Sequence, residues 1–266
     1  MTVRHQGVRR HLHSLWLLSA RDLKVRYSTS WLGYLWSVLD PLVMSAIYWF
    51  VFTQVFHRDV GEDPYILFLI SGLLPWMWFN SSVSDFTRAF KIDAKLVRST
   101  AIPRWIWVGR TVLSKGVEFL LSLPVLAVFV VVVGLQQGWE HVHFGWGVLW
   151  LPVAIVFQTL LLMGLGLIIA PLCVLFRDLE RTAKLVLRAL FYATPIIYGI
   201  GNLPDGFEWL EYANPLAGLF AMYRAMFFPG QWAAGPIGSA MAISVAVFVV
   251  GCFVIRALER PVLKEL

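Results

Sequence analysis

Charge is scarce in this chain. Of its 266 residues only 14% are Asp, Glu, Lys or Arg, against 59% hydrophobic. With a mean hydropathy of +0.71, too little polar surface is left to solvate a water-soluble globule. Cysteine is scarcer still: Cys173 and Cys252 are the two present. Both lie near cytoplasmic ends of the apolar runs described below, which argues against a disulfide, and they offer no metal-ligand spacing. They read as small core hydrophobes. No G-x-x-x-x-G-K-[ST] phosphate loop occurs, so the chain has no P-loop of its own for ATP. Neither H-E-x-x-H nor G-x-S-x-G appears, which removes two hydrolase signatures. Glu140, His141 and His143 form a His/carboxylate cluster, too few ligands for a metal site. The sequence therefore assigns no catalytic residue and no metal.

What is abundant is long apolar sequence, in six runs at about 32–56, 65–84, 110–134, 146–172, 185–201 and 236–256. Runs of roughly 17–25 residues cross a bilayer, and in lipid the backbone can be satisfied only by helices or closed barrels. Trp31, Tyr34, Trp36, Trp76, Trp78, Trp105, Trp107, Trp139, Trp146 and Trp150 crowd the run ends, where aromatic rings anchor at headgroup level. Basic residues are segregated: twenty of the twenty-two Lys and Arg fall on alternate connections or the two ends, leaving Arg58 and Arg224 for the other side. Positive loops stay in the cytoplasm, so the expected topology is six spans with both termini cytoplasmic. The net charge of +6 is accordingly read as loops facing anionic lipid, with no nucleic-acid role. Six spans leave no room for a second sizeable soluble domain.

The connections carry the remaining information. Residues 1–30 hold Val8, Leu12, Leu15, Trp16, Ser19 and Leu23 at helical spacing, with Arg9, Arg10, Arg21 and Lys24 mostly around the other face. This predicts an amphipathic helix on the cytoplasmic membrane surface, since the apolar core is too short and lacks the cleavage pattern of a signal peptide. The stretch Thr87–Trp105 is charged, helix-capable and closed by Pro103. It reads either as a solvated loop or as a stiff element that transmits force from a soluble partner, with Arg88, Lys91, Lys95, Arg98, Pro103 and Arg104 in the contact. Arg177 and Asp178, in the turn 176–181, form a second contact point or a charged cap. Residues 202–235 are punctuated by proline and glycine into apolar segments of about 10 residues, too short to cross. They are expected to be re-entrant or interfacial and to wall an external gate. Asp40, Lys115 and Glu118 are ionisable groups in or beside spans, either paired structurally or lining a pathway.

Four segments in chain order, Arg21–Leu42 (RDLKVRYSTSWLGYLWSVLDPL), Leu96–Arg104 (LVRSTAIPR), Phe176–Arg181 (FRDLER) and Thr194–Arg224 (TPIIY…NPLAGLFAMYR), resemble the type-2 ABC exporter permeases that move polysaccharides and teichoic acids. The resemblance covers nearly the whole chain; Ile102 stands where the family commonly has phenylalanine. It implies an all-α integral membrane protein of the bacterial cytoplasmic membrane, with residues 31–266 as a six-helix transmembrane domain. It further implies a homodimer joined to two copies of a separate ATPase that holds ATP and Mg2+, with no cofactor in this chain. The N-terminal helix and 88–104 would couple to that ATPase, and 202–235 would be the external re-entrant pair. The implied substrate is a lipid-linked glycan of O-antigen, teichoic-acid or cell-wall galactan type. Asp40, Tyr48, Trp49, Trp76, Phe79 and Arg224 are the pathway candidates, the aromatic ones because flat apolar faces suit sugar rings, although helix packing explains each equally. An ABC-type permease for a drug or other lipid, a membrane-embedded transferase and a secondary transporter are the competing readings.

Overall fold

Residues 2–28, 35–51, 62–100, 102–142, 145–199 and 206–266 are described by a computed structural model, and every regular element among them is helical. The α-helices are α1 (Thr2–Ser28), α2 (Trp36–Trp49), α3 (Tyr65–Phe86), α4 (Ala94–Ser99), α5 (Trp105–Gln137), α6 (Trp150–Leu175), α7 (Leu179–Ala193), α8 (Trp209–Ala213), α9 (Pro215–Arg224) and α10 (Ala234–Glu265). Four are long and apolar enough to cross a bilayer: α3, α5, α6 together with the 3-10 turn before it, and α10. The expected second, third, fourth and sixth runs coincide with them.

The first and fifth runs differ. Only α2, a shorter apolar helix, represents the expected span 32–56, whose flanks and Arg58 lie outside the described residues. The expected span 185–201 is instead a 15-residue amphipathic helix, α7, which starts among charges and stops before Pro195. Proline disfavours helical geometry at the residue before it, and Thr194 is extended at φ −102°, ψ 138°. Lys184 and Arg188 lie in its middle, and the expected apolar run continues past the end of the helix at Ala193.

Helix α3 is the axis of the bundle. Of its apolar stretch 83% is buried, against 11% for α10, because α2, α5, α6, α7 and α9 all pack on α3. Helices α6 and α10 share the most extensive helix–helix contact. A Cβ on Gly251 would sit 2.5 Å from the Gly164 carbonyl oxygen, so glycine is what lets the two backbones meet, as small residues do between helices in lipid. Helix α1 lies along α5, with Ser19 buried and the Leu15 side chain beside Gly109. Leu12 and Trp16, expected on the same apolar stripe, are 57% and 61% exposed and point away from the bundle.

The region 202–235, described from residue 206, holds α8, α9 and a 3-10 turn at Pro229–Gln231. At ten residues α9 is too short to cross, yet Leu216, Leu219, Phe220 and Met222 are almost fully buried. Its start is well built: Pro215 occupies the first helical position, where no N–H is needed, and the Asn214 side chain accepts from the Leu216 N–H at 3.0 Å.

Candidate translocation cleft and coupling end

Helices α2, α3 and α7 enclose a cleft of about 400 Å³, open to one side. Its wall is aromatic. Phe191 of α7 sits between Tyr48 of α2, 5.9 Å between ring centroids, and Trp76 of α3, 5.4 Å away; Tyr192 adjoins Phe191 at 5.3 Å. Arg188 and Lys184, one and two turns earlier on α7, line the cleft toward the helix start, and Asn80 and Ser84 of α3 add polar groups. The cleft therefore offers flat apolar faces along its length and two cations toward one end.

Of the pathway candidates, Tyr48 and Trp76 line this cleft. Phe79 is buried behind Trp76, at 5.7 Å. Trp49 is 39% exposed and lies outside the cleft lining. Asp40 lines a separate cavity of about 180 Å³ with Lys115 and Glu118. Lys184, Arg188, Phe191 and Tyr192 went unrecognised as a group in the sequence, where the two cations served only as topology markers. Their spacing at i, i+4 and i+7/i+8 on an amphipathic segment is the signal that marks them.

Arg224 is placed elsewhere again. It is 1% exposed at the end of α9 and donates to the carbonyls of Pro195 and Ile196 at 2.6 Å each and of Phe68 at 3.3 Å, with its guanidinium 3.6 Å from the Phe68 ring centre. The planar five-donor fork can satisfy several carbonyls at once. Asn214 at the other end of α9 donates to the Thr194 hydroxyl at 2.9 Å. The Thr194–Pro195–Ile196 turn after α7 is thus fastened at both ends of α9 and to α3.

At the opposite end of α7 a charged layer gathers α1, α3, α4 and α5. Asp93 accepts from Arg21 of α1 at 2.9 Å and from Arg110 of α5 at 2.6 Å, and Arg110 also lies 3.4 Å from Asp22. Burial pushes the Asp93 carboxyl up, but the bonds from Arg21 and Arg110 outweigh it and hold the carboxyl below its ordinary range. Arg26 of α1 bridges Asp85 and Glu118, at 3.0 Å each, and Lys115 donates to Glu118 at 3.0 Å. Lys115 and Glu118 are therefore paired with each other. Asp85 and Asp93, hubs of this layer, were not singled out in the sequence because their hydrogen-bonded arginines are 17 to 72 positions away, on other helices.

Arg88 turns back to α7, where its Nε donates to Glu180 at 2.9 Å and its Nη2 makes a second bond to the same oxygen. Lys184 donates to that oxygen at 3.1 Å. The bonds from Arg88 and then Lys184 hold the Glu180 carboxyl down to about 2. Lys91, Lys95 and Arg98 are exposed around α4, whose Val97 is fully buried, and Ile92, Phe176, Arg177 and Asp178 are exposed as well. Helix α4 stops at Ser99, ahead of Pro103, as the proline predicts. Arg104 turns inward: its side chain is 10% exposed and its Nη1 donates to the Thr100 and Ile102 carbonyls, bracing the end of the loop.

Among the described residues no group of three or more His, Cys, Asp or Glu could hold a metal ion. The model of the family described as ABC-2 type transporter matches residues 13–228. The chain is 37% identical over 214 residues, 80% of each protein, to an O-antigen export system permease protein RfbA of Klebsiella pneumoniae. It is 30% identical over 233 residues, 86% of each, to the protein of the same name in Myxococcus xanthus. To the polysialic acid transport protein KpsM of Escherichia coli it is 22% identical over 253 residues, 93% of this chain and 94% of that one. With its long apolar helices, this multi-pass membrane protein belongs to the ABC-2 type transporter family.

Proposed function

We propose that the chain is the permease subunit of an ATP-driven exporter that moves a lipid-linked polysaccharide outward across the bacterial cytoplasmic membrane. The observation that carries this reading is the cleft of α2, α3 and α7, where a run of packed aromatic rings leads toward Lys184 and Arg188. Sugar rings stack on aromatic faces, and the two cations suit the phosphate of a lipid carrier. The names of the relatives, an O-antigen exporter and a polysialic acid transporter, support the same substrate class. Because the cleft is open on one side, a second copy of the chain would close it into a passage. Six spans with both termini cytoplasmic remain the topology that the charge distribution supports.

Two copies of a separate ATPase would dock on the exposed cations of α4 and on the turn Phe176–Asp178. Movement of that surface would reach the cleft through the Arg88–Glu180 tether, since Glu180 lies on the helix that carries Phe191. The region 202–235 would form the external re-entrant gate. The test is glycan export in cells expressing Lys184→Gln with Arg188→Gln. Export is expected to fall at least about tenfold, equivalent to ~1.4 kcal/mol, while the ATPase still co-purifies. Undiminished export with an intact complex would refute the role of the cleft.

A further inference from the structure

On the far side of the bundle from the cleft, α5, α6 and α10 border a second groove of about 350 Å³ that shares no residue with it. The size is within the ~300–1,000 Å³ range of small-ligand sites. Its inner wall is apolar, with Met163 and Leu167 of α6 and Phe248 and Ile255 of α10. Its mouth carries two guanidinium groups, Arg104 and Arg256, and one carboxylate, Glu259. The mouth lies at the end of the molecule that holds α1 and α4, where the charge distribution places the cytoplasmic headgroups.

The cations at this mouth are incompletely answered. Glu259 reaches Arg104 Nε at 3.9 Å, beyond hydrogen-bond distance. Arg104 Nε is buried and has no hydrogen-bond partner, on a side chain that is only 10% exposed. A buried guanidinium N–H without an acceptor is costly, and an oxygen placed in the groove would supply one. Counted by charge, two arginines against one carboxylate leave the mouth net positive. An apolar wall leading into the membrane below such a mouth fits an acyl chain beneath a phosphate.

We propose that this groove binds an anionic phospholipid of the bilayer, its phosphate between Arg104 and Arg256 and one acyl chain along Met163, Phe248 and Ile255. Arg104 closes the 87–104 loop through the Thr100 and Ile102 carbonyls, so the lipid braces that loop against α10. The loop's position then depends on the headgroup composition of the surrounding membrane.

The experiment uses the full chain in vesicles of phosphatidylethanolamine, with and without phosphatidylglycerol, and a photoactivatable phosphatidylglycerol as probe. Cross-links are expected at residues 248–256 of α10. In detergent, native mass spectrometry is expected to show a retained phosphatidylglycerol whose apparent affinity falls roughly fivefold in Arg256→Gln, the effect of one cation beside an anionic lipid. Arg260→Gln, on the same helix but outside the groove lining, is expected to change nothing; both arginines are exposed, so neither variant threatens folding. Equal effects of the two variants would reduce the binding to general surface attraction and overturn the site. So would equal retention of phosphatidylethanolamine, and so would displacement by a polyprenyl phosphate in preference to phosphatidylglycerol, which would assign the groove to the substrate's carrier.

Discussion

Arg224 shows how much of one residue's role depends on what surrounds it. As a cation in an external loop it was a candidate for touching substrate; buried at 1% exposure and bonded to three carbonyls, it holds α9, α3 and the turn after α7 together. Hydrogen bonds from charged groups contribute about 1.5–3 kcal/mol each. Losing the two 2.6 Å bonds, Arg224→Met should therefore destabilise the protein on the order of 3–6 kcal/mol, read as a lower melting temperature and lower membrane yield. Arg224→Lys, which keeps the charge but cannot spread donors over three acceptors, should fall between. A methionine variant of full stability would show that the bonds are incidental. The aromatic candidates divided for a related reason: stacking residues look alike in sequence, and only neighbours decide that Trp76 lines the cleft while Phe79 backs it.

Helix α7 is the element that joins the charged layer to the cleft. Its first turn is held by Arg88 and its later turns carry Lys184, Arg188 and Phe191. The Glu180 carboxyl titrates at about 2 instead of its ordinary 4.5. A depressed carboxyl stabilises the folded tether fully above the ordinary value, and the contribution is lost as pH falls through the lowered one. Amide exchange over residues 179–186 should therefore stay protected in the native protein from neutral pH down to about 4. In Glu180→Gln the same amides should exchange a few-fold faster at neutral pH, a modest effect because the pair is largely solvent-screened. Identical exchange in the two proteins at neutral pH would mean that α7 is held by packing alone. No local pattern marks this tether, since Arg88 and Glu180 are 92 positions apart.

For the molecule as a whole, the charge asymmetry sets the topology that every proposed role depends on. A cysteine introduced at Glu140, in the α5–α6 connection, should be labelled by an impermeant reagent from outside intact cells. Cysteines at Lys95 and Glu180 should react only after permeabilisation. The native thiols interfere little with this comparison, since Cys173 is buried and Cys252 serves as the background to subtract. The opposite labelling pattern would invert the molecule and move the candidate ATPase surface to the wrong side.

The amino-acid sequence by itself determined the solvent and the gross form of this protein. Long apolar runs must be helical in lipid, and four long helices stand where the runs predict them. The punctuation of residues 202–235 likewise foretold segments too short to cross, and α9 is one. Only the tertiary structure decided which side chains meet. Asp93 gathers arginines from two helices, and Phe191 enters between Tyr48 and Trp76. Arg224 finds its carbonyls on α3 and on the turn after α7. The physical reason is range. Hydropathy and charge act on a segment through the solvent around it and are readable from that segment alone. A hydrogen bond or ring contact acts over a few ångströms between groups far apart in the chain, and the bundle must close before those groups become neighbours.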